Sequence, residues 1–188
     1  MTSPASPVPG KYARVERERR FLLADLPSDP PATAIRTITD RYLTGTTLRL
    51  RHMADQQGGH QYKFTQKIPA ARRGPVQGQI TNTYLSKTEY DLLAGLPATT
   101  LIKTRYSIPP FGIDVFAPPL HGLVLAEVEF DTDKAMLAFR PPTYVIAEVT
   151  EDQRFTGGRL ATASREHLTS WLADYGVDVD HRPDPANH

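Results

Sequence analysis

The chain has 188 residues, and its 22 basic and 21 acidic side chains leave a net charge of +1. That length bounds one domain with a sizeable core, and the near balance of charge excludes a global field that would draw in nucleic acid or an anionic membrane, so any charge selectivity is local. Without cysteine there is no disulfide framework, thiolate metal site or cysteine nucleophile, a usage that suits a reducing, cytoplasmic setting, and no apolar run reaches the ~18 residues of a spanning helix.

Residues 1–12 are rich in Pro, Ser and Gly and read as a disordered leader; 177–188 lack apolar periodicity and read as a mobile tail; one domain over 13–176 lies between them. It opens on Val15-Glu16-Arg17-Glu18-Arg19-Arg20-Phe21-Leu22-Leu23. As a strand, its period of two puts Glu16, Glu18 and Arg20 on one face. Neighbouring carboxylates repel unless a cation lies between them, so this row asks for a partner.

Residues 36–43 alternate and carry β-branched side chains, which predicts a second strand, and Thr44-Gly45-Thr46 reads as a turn. From Thr47 to Met53, Leu48 and Leu50 take one face while Arg49 and Arg51 take the other. From Gln61 to Ile68, Tyr62, Phe64 and Ile68 oppose Lys63, Thr65 and Lys67, giving a hairpin with a basic face. A weaker strand, 77–85, follows a basic loop. Ser86-Lys87-Thr88-Glu89 has capping-box spacing and starts a short helix that stops at Gly95.

Leu101 to Ile108 predicts a strand with Lys103 and Arg105 on one face. Gly112 to Phe116 places Asp114 opposite Ile113 and Val115, and Leu123 to Phe130 places Glu127 and Glu129 opposite Val124, Ala126, Val128 and Phe130. Asp131-Thr132-Asp133 caps a short helix through Phe139. A last strand, Tyr144 to Thr150, carries Glu148. Gly157-Gly158 breaks the chain before a helix of about 161–175, with Gly176 as its C-cap.

The charged faces come as same-sign neighbours: Arg49/Arg51, Lys63/Lys67 and Lys103/Arg105 against Glu16/Glu18 and Glu127/Glu129. Like charges side by side are mildly destabilising, so a solvated sheet would intersperse the signs. Convergence on a ligand that carries both signs explains the clustering. A polyphosphate with divalent cations is such a ligand, with arginine and lysine on phosphate oxygens and carboxylates on Mg²⁺ or Mn²⁺. Pattern alone leaves open whether about eight strands close into a barrel or form a sandwich or open sheet. No Gly-x-Gly-x-x-Gly or P-loop occurs, the six histidines have no zinc-ligand spacing, and Trp171 reads as helix core.

Glu16-x-Glu18-x-Arg20-Phe21-Leu22 resembles the opening Glu-x-Glu-x-Lys of the CYTH superfamily, the triphosphate tunnel metalloenzymes. The resemblance continues in order through Arg41-Tyr42-Leu43, Leu48-Arg49-Leu50-Arg51, Thr65-Gln66-Lys67, Lys103-Thr104-Arg105-Tyr106, Ile113-Asp114-Val115-Phe116, Ala126-Glu127-Val128-Glu129 and Ala147-Glu148-Val149-Thr150 with Arg154-Phe155. It implies an α+β fold: a closed eight-stranded antiparallel β-barrel, the tunnel, with a few short peripheral helices and a C-terminal helix. It also implies metal-dependent triphosphate hydrolysis, inorganic triphosphate first.

Carried over by position, Glu16, Glu18, Glu127 and Glu129 are metal ligands, with Asp114 and Glu148 as further acidic lining. Arg20, Arg49, Arg51, Lys67, Lys103 and Arg105 grip phosphate, and Lys63 shares their basic face. Glu16, Glu18, Arg20 and Tyr42 form the expected catalytic group. The expected partner is a small-molecule triphosphate, with no nucleic acid or membrane, for a monomer or homodimer.

Two departures stand out. Arg20 replaces the family's lysine, and a guanidinium cannot act as a base. Gln79-Ile80-Thr81-Asn82-Thr83-Tyr84 stands where many members have Arg-x-Glu-x-Glu, which removes two carboxylates and weakens one metal site. The open rivals are a non-catalytic polyphosphate or nucleotide sensor, a thiamine triphosphatase and a class IV-like adenylate cyclase.

Overall fold

Alternation along the chain becomes nine antiparallel strands in the computed structural model, which describes residues 10–29, 31–70 and 76–178. Most of the expected leader and tail, and the Arg72-Arg73 pair of the basic loop, lie outside the described residues. The strands are β1 (Arg14–Leu23), β2 (Ala34–Leu43), β3 (Leu48–Asp55), β4 (His60–Pro69), β5 (Val76–Leu85), β6 (Ala98–Ile108), β7 (Phe111–Phe116), β8 (Val124–Glu129) and β9 (Val145–Glu148). Helix α1 (Lys87–Ala94) links β5 to β6, and α2 (Asp133–Ala138) links β8 to β9. A 3₁₀ turn (Gln153–Phe155), α3 (Gly157–Leu160) and α4 (Arg165–Ala173) follow.

The sheet runs β5-β4-β3-β2-β6-β7-β8-β1, and the first half of β1 pairs back onto β5, which closes an eight-stranded barrel. β9 adds to the second half of β1, with Phe21 opposite Glu148. Closure needs a bulge: the register steps from Glu16↔Gly78 to Arg17↔Val76. Gly78 meets it with φ +143, where a Cβ would stand 2.1 Å from the Ile68 carbonyl oxygen.

Closure turns the charged faces inward. Asp40, Thr65 and Asp114 are fully buried, and Glu18, Arg20, Arg49, Arg51 and Lys103 nearly so. The opposite face of β1, β7 and β8 is apolar: Phe21, Leu23, Ile113, Ala126 and Val128 pack with Phe139 and Val145. Phe21-Leu22-Leu23 is a continuous apolar run because this part of β1 is covered on both sides.

The C-terminal segment plugs one end of the barrel. Leu22, Leu101, Phe116 and Leu125, on the inward faces of four strands, form one core with Phe155, Leu160, Leu168 and Leu172. The single helix expected over 161–175 is two pieces. Ser164 starts α4 through a reciprocal cap with His167, and the preceding turn belongs to α3, which begins at the Gly157-Gly158 pair expected to break the chain. The last expected strand shortens to Val145–Glu148. No helix among the described residues is long and apolar enough to cross a membrane.

A Cβ on Gly157 would lie 1.9 Å from the Tyr42 hydroxyl and 3.0 Å from its ring carbon. Gly157→Ala is expected to lift the plug from Tyr42 and lower stability by about 1–3 kcal/mol, the range for overpacked cores. Thermal unfolding checks it, and an unchanged midpoint would mean that Tyr42 gives way freely.

Candidate active site

Alternation on three strands brings residues of both signs to one cavity. It has a volume of about 610 Å³, and Glu16, Glu18 and Arg20 of β1, Tyr42 of β2, Arg49 of β3 and Lys67 of β4 line it. Its far wall is the plug segment, through Gln153, Thr156, Gly157, Gly158 and Arg159. The size suits a compact ligand.

Each cation here has a particular tie. Lys67 Nζ donates to Glu16 Oε1 at 2.6 Å. Arg20 Nη2 donates to the Thr150 carbonyl at 2.7 Å, and its Nη1 lies 3.5 Å from Glu18 Oε1. Arg49 Nη2 approaches Thr65 Oγ1 at 3.3 Å, and its buried Nε, without a hydrogen bond, stands 3.6 Å from Asp40 Oδ1.

The remaining expected cations face the interior but do not line this cavity. Arg51 is gripped by Asp40, Nε to Oδ1 at 2.6 Å and Nη2 to Oδ2 at 2.7 Å. Arg105 spans Asp114 at 2.7 and 2.6 Å and also binds Glu127, and Lys103 binds Asp114. Lys63, opposite Arg51 and Tyr84, forms no ion pair among the described residues. Burial first, then Arg51 and Arg49, push its ammonium down to about 8.

The acidic expectations divide. Glu18 and Glu129 are directly opposite one another, and Glu127 lies opposite Arg20. Burial, then the nearby Glu127, push the Glu18 carboxyl up to about 7. Glu127 is also buried, which works the other way, but Arg105 and Lys103 hold its carboxyl well below the ordinary range. Asp114 has both its oxygens taken by Lys103 and Arg105 and has no exposed surface. Glu148 is not tunnel lining. Its carboxylate is spanned by Arg19 at 2.8 and 2.7 Å, whose guanidinium packs on Phe21 and Phe139 at the outer face.

Whether the rest suits a metal is a question of donor chemistry. Among the described residues no group of three or more carboxylates or imidazoles stands ready to hold an ion. Yet Glu16, Glu18, Glu127 and Glu129 offer only carboxylate oxygens, the set that hard divalent cations prefer. Burial and the neighbouring Glu127 outweigh Lys67 and Arg20 in raising the Glu18 carboxyl, so a further positive charge would find it receptive. Glu129 has no ion-pair partner among the described residues. The set fits a divalent cation once the side chains gather. The altered strand β5 contributes Ile80, Asn82 and Tyr84 opposite Lys67, Thr65 and Lys63, with no carboxylate; Asn82 Oδ1 accepts from Thr65 at 2.7 Å.

Tyr42 lies opposite Arg49. Burial, then Asp40, push its phenol up to about 12, so it is a neutral hydrogen-bond donor rather than a base. Sequence reasoning missed Asp40, Thr150 and Arg159. Alternation with Ile38 and Tyr42 could have placed Asp40 on the inward face. Nothing marked Arg159, because a lone arginine after Gly157-Gly158 reads as a solvated residue.

No protein-family profile matches the chain. An inorganic triphosphatase of Nitrosomonas europaea is 38% identical over 158 residues, which cover 78% of this chain and 96% of the relative. Among solved structures, a crystal structure of the inorganic triphosphatase NE1496 superposes with a TM-score of 0.53 at 30% identity, covering 80% of this chain and 96% of that one. A second, described as the hypothetical protein NE1496, gives 0.53 at 31% identity over 79% of this chain and 99% of that one.

The Glu18 carboxyl rises from 4.5 to about 7 on folding. Its protonation therefore favours the folded state; that contribution is complete below pH 4.5 and is lost as the pH climbs through about 7. The metal-free protein is expected to lose stability relative to Glu18→Gln over this window, and added Mg²⁺ is expected to narrow the gap. Thermal unfolding against pH measures it; a pH-independent difference between the two proteins would place the proton elsewhere.

Proposed function

This chain belongs to the CYTH superfamily of triphosphate tunnel proteins, and on that premise we propose that it hydrolyses a triphosphate, inorganic triphosphate first, with Mg²⁺ or Mn²⁺. The observation that carries the reading is the one cavity wall on which Arg20, Arg49 and Lys67 stand beside Glu16 and Glu18. Three cations and two carboxylates gathered on one wall favour a compact substrate that carries several negative charges and a cation. The name of the Nitrosomonas relative points the same way.

Arg20, Arg49 and Lys67 take phosphate oxygens. Lys67 exchanges the Glu16 carboxylate for phosphate, which frees Glu16 toward the acidic cluster. Tyr42 donates its hydroxyl proton as a hydrogen bond and keeps it. Glu18 and Glu129, with Glu16 and Glu127, would hold the cation, and Glu18 gives up its proton as positive charge arrives. Held there, a divalent cation would supply neutralisation of phosphate charge and a more acidic water for in-line attack. Arg20 keeps its charge throughout, so it stabilises developing negative charge instead of accepting a proton. The uncharged row Ile80, Asn82 and Tyr84 supports one metal rather than two. A cytoplasmic location and a monomeric or homodimeric state are part of the same proposal.

The same row favours one other reading, a sensor that binds triphosphate without turnover. Phosphate release from triphosphate with and without Mg²⁺ or Mn²⁺ separates the two. Metal-dependent release is expected, with the catalytic efficiency of Arg49→Ala lower by roughly tenfold or more. Tight calorimetric binding with no release would leave the sensor, and neither binding nor release would end both readings.

Lys63, with its ammonium near 8 and facing the same interior opposite Arg51, is expected to take up a proton when triphosphate enters the barrel above that pH, because negative charge there favours the charged form. Calorimetry in buffers of different ionisation enthalpy reads this as a proton gained, which Lys63→Met should abolish. Uptake that persists in the variant would assign it to another group.

A further inference from the structure

We propose that Asp40 is a positioning residue for phosphate binding, acting through Arg51 and secondarily Arg49; this rests on the triphosphate reading of the tunnel. Asp40 has no exposed surface. Ile38 and Tyr42 flank it along its own strand, Leu101 lies opposite on β6, and Lys103 is the next inward residue of that strand. What explains a carboxylate there is the neighbouring strand. Asp40 is directly across from Arg51 and receives both its Nε and Nη2, and Arg49 Nε stands 3.6 Å from the same carboxylate oxygen that takes Arg51 Nε.

The same arrangement occurs once more in the barrel. Asp114 lies across from Arg105, the second member of the Lys103-x-Arg105 pair, takes its Nε and Nη2, and also binds Lys103. In each case one buried aspartate secures an i, i+2 cation pair on the adjacent strand. A guanidinium presents its donors along two edges of a rigid fork. With the Nε/Nη2 edge of Arg51 spent on Asp40, the Nη1 edge is left for a phosphate oxygen that reaches past Arg49 into the barrel interior. Asp40 also lessens the repulsion among Arg49, Arg51 and Lys63, which face each other across β3 and β4 when no anion is present.

The two roles open to a buried carboxylate here give opposite signs. An aspartate that only adds negative charge or packing near an anion site weakens anion binding, so Asp40→Asn would tighten it. An aspartate that holds Arg51 in its binding direction strengthens it. The test is the affinity of tripolyphosphate by calorimetry in EDTA, where binding is measured without hydrolysis. Asp40→Asn is expected to weaken it roughly tenfold, the scale of one charge-assisted hydrogen bond. Arg51→Lys, which retains the charge and loses the fork, is expected to weaken it similarly, and Asp40→Asn added to Arg51→Lys is expected to cost little more.

Unchanged or tighter binding by Asp40→Asn overturns the proposal, as do full and additive losses in the double variant. Should Asp40→Asn fail to fold, Asp40→Leu together with Arg51→Lys gives the same comparison with packing restored, and a double variant no weaker than Arg51→Lys supports the proposal. A wild-type protein that binds tripolyphosphate but never hydrolyses it refutes the hydrolase reading and leaves this comparison decisive. One that does not bind it refutes both.

Discussion

Repulsion between like charges enclosed in a closed barrel is the constraint on which the rest of this structure depends. Taking an ion out of water costs several kcal/mol even after relaxation, and rows of same-sign neighbours add to it. The barrel meets the constraint by setting carboxylates across from cations: Asp40 with Arg51, Asp114 with Lys103 and Arg105, Glu127 with Arg105, and Glu16 with Lys67. What is left uncompensated is informative. Glu18 keeps its proton to near neutrality, and the Lys63 ammonium is pulled down to about 8 by burial and by Arg51 and Arg49. These residues mark where the interior still calls for a cation and an anion.

From this follows a division among the interior ion pairs. Those of Asp40 and Asp114 are fully buried and multiply hydrogen-bonded, and they hold their arginines in place. The Lys67–Glu16 pair is single and on the cavity wall, and Arg20 touches Glu18 only at 3.5 Å. Such contacts exchange easily when phosphate and metal compete for their members. The apolar plug makes the exchange consequential. By filling one end of the barrel with Phe155, Leu160, Leu168 and Leu172 it excludes water there, and electrostatic interactions gain strength as water leaves.

Much of this was legible in the sequence, because a period of two is a local property. Glu16, Glu18 and Arg20 share a face by spacing alone, and so do Arg49 with Arg51 and Glu127 with Glu129. Whether that face points inward is not local; it depends on β5 returning to β1 across sixty residues, at a bulge that Gly78 permits. The order of motifs supplied that step by resemblance. Roles were harder to read than faces. Asp114 sits on the inward face as expected, but cross-strand pairing with Arg105 makes it a clamp, and Glu148 shares the opposite face with Arg19 because β9 joins β1 at Phe21. Asp40 stood in the alternation unnoticed, since only the β2–β3 register reveals that it faces Arg51. The split of the C-terminal helix was hidden by Ser164, which fits a helical period and serves instead as its cap.

The most direct measurement of the central claim, that one tunnel gathers phosphate on its cations and metal on its carboxylates, is a crystal structure with tripolyphosphate and Mn²⁺ and an anomalous map at the manganese edge. Expected are phosphate oxygens on Arg49 and Lys67 and a manganese peak at Glu18 and Glu129, with the pairs of Asp40 and Asp114 intact. Manganese on Asp114 or Glu148, or triphosphate bound only outside the barrel, would contradict it.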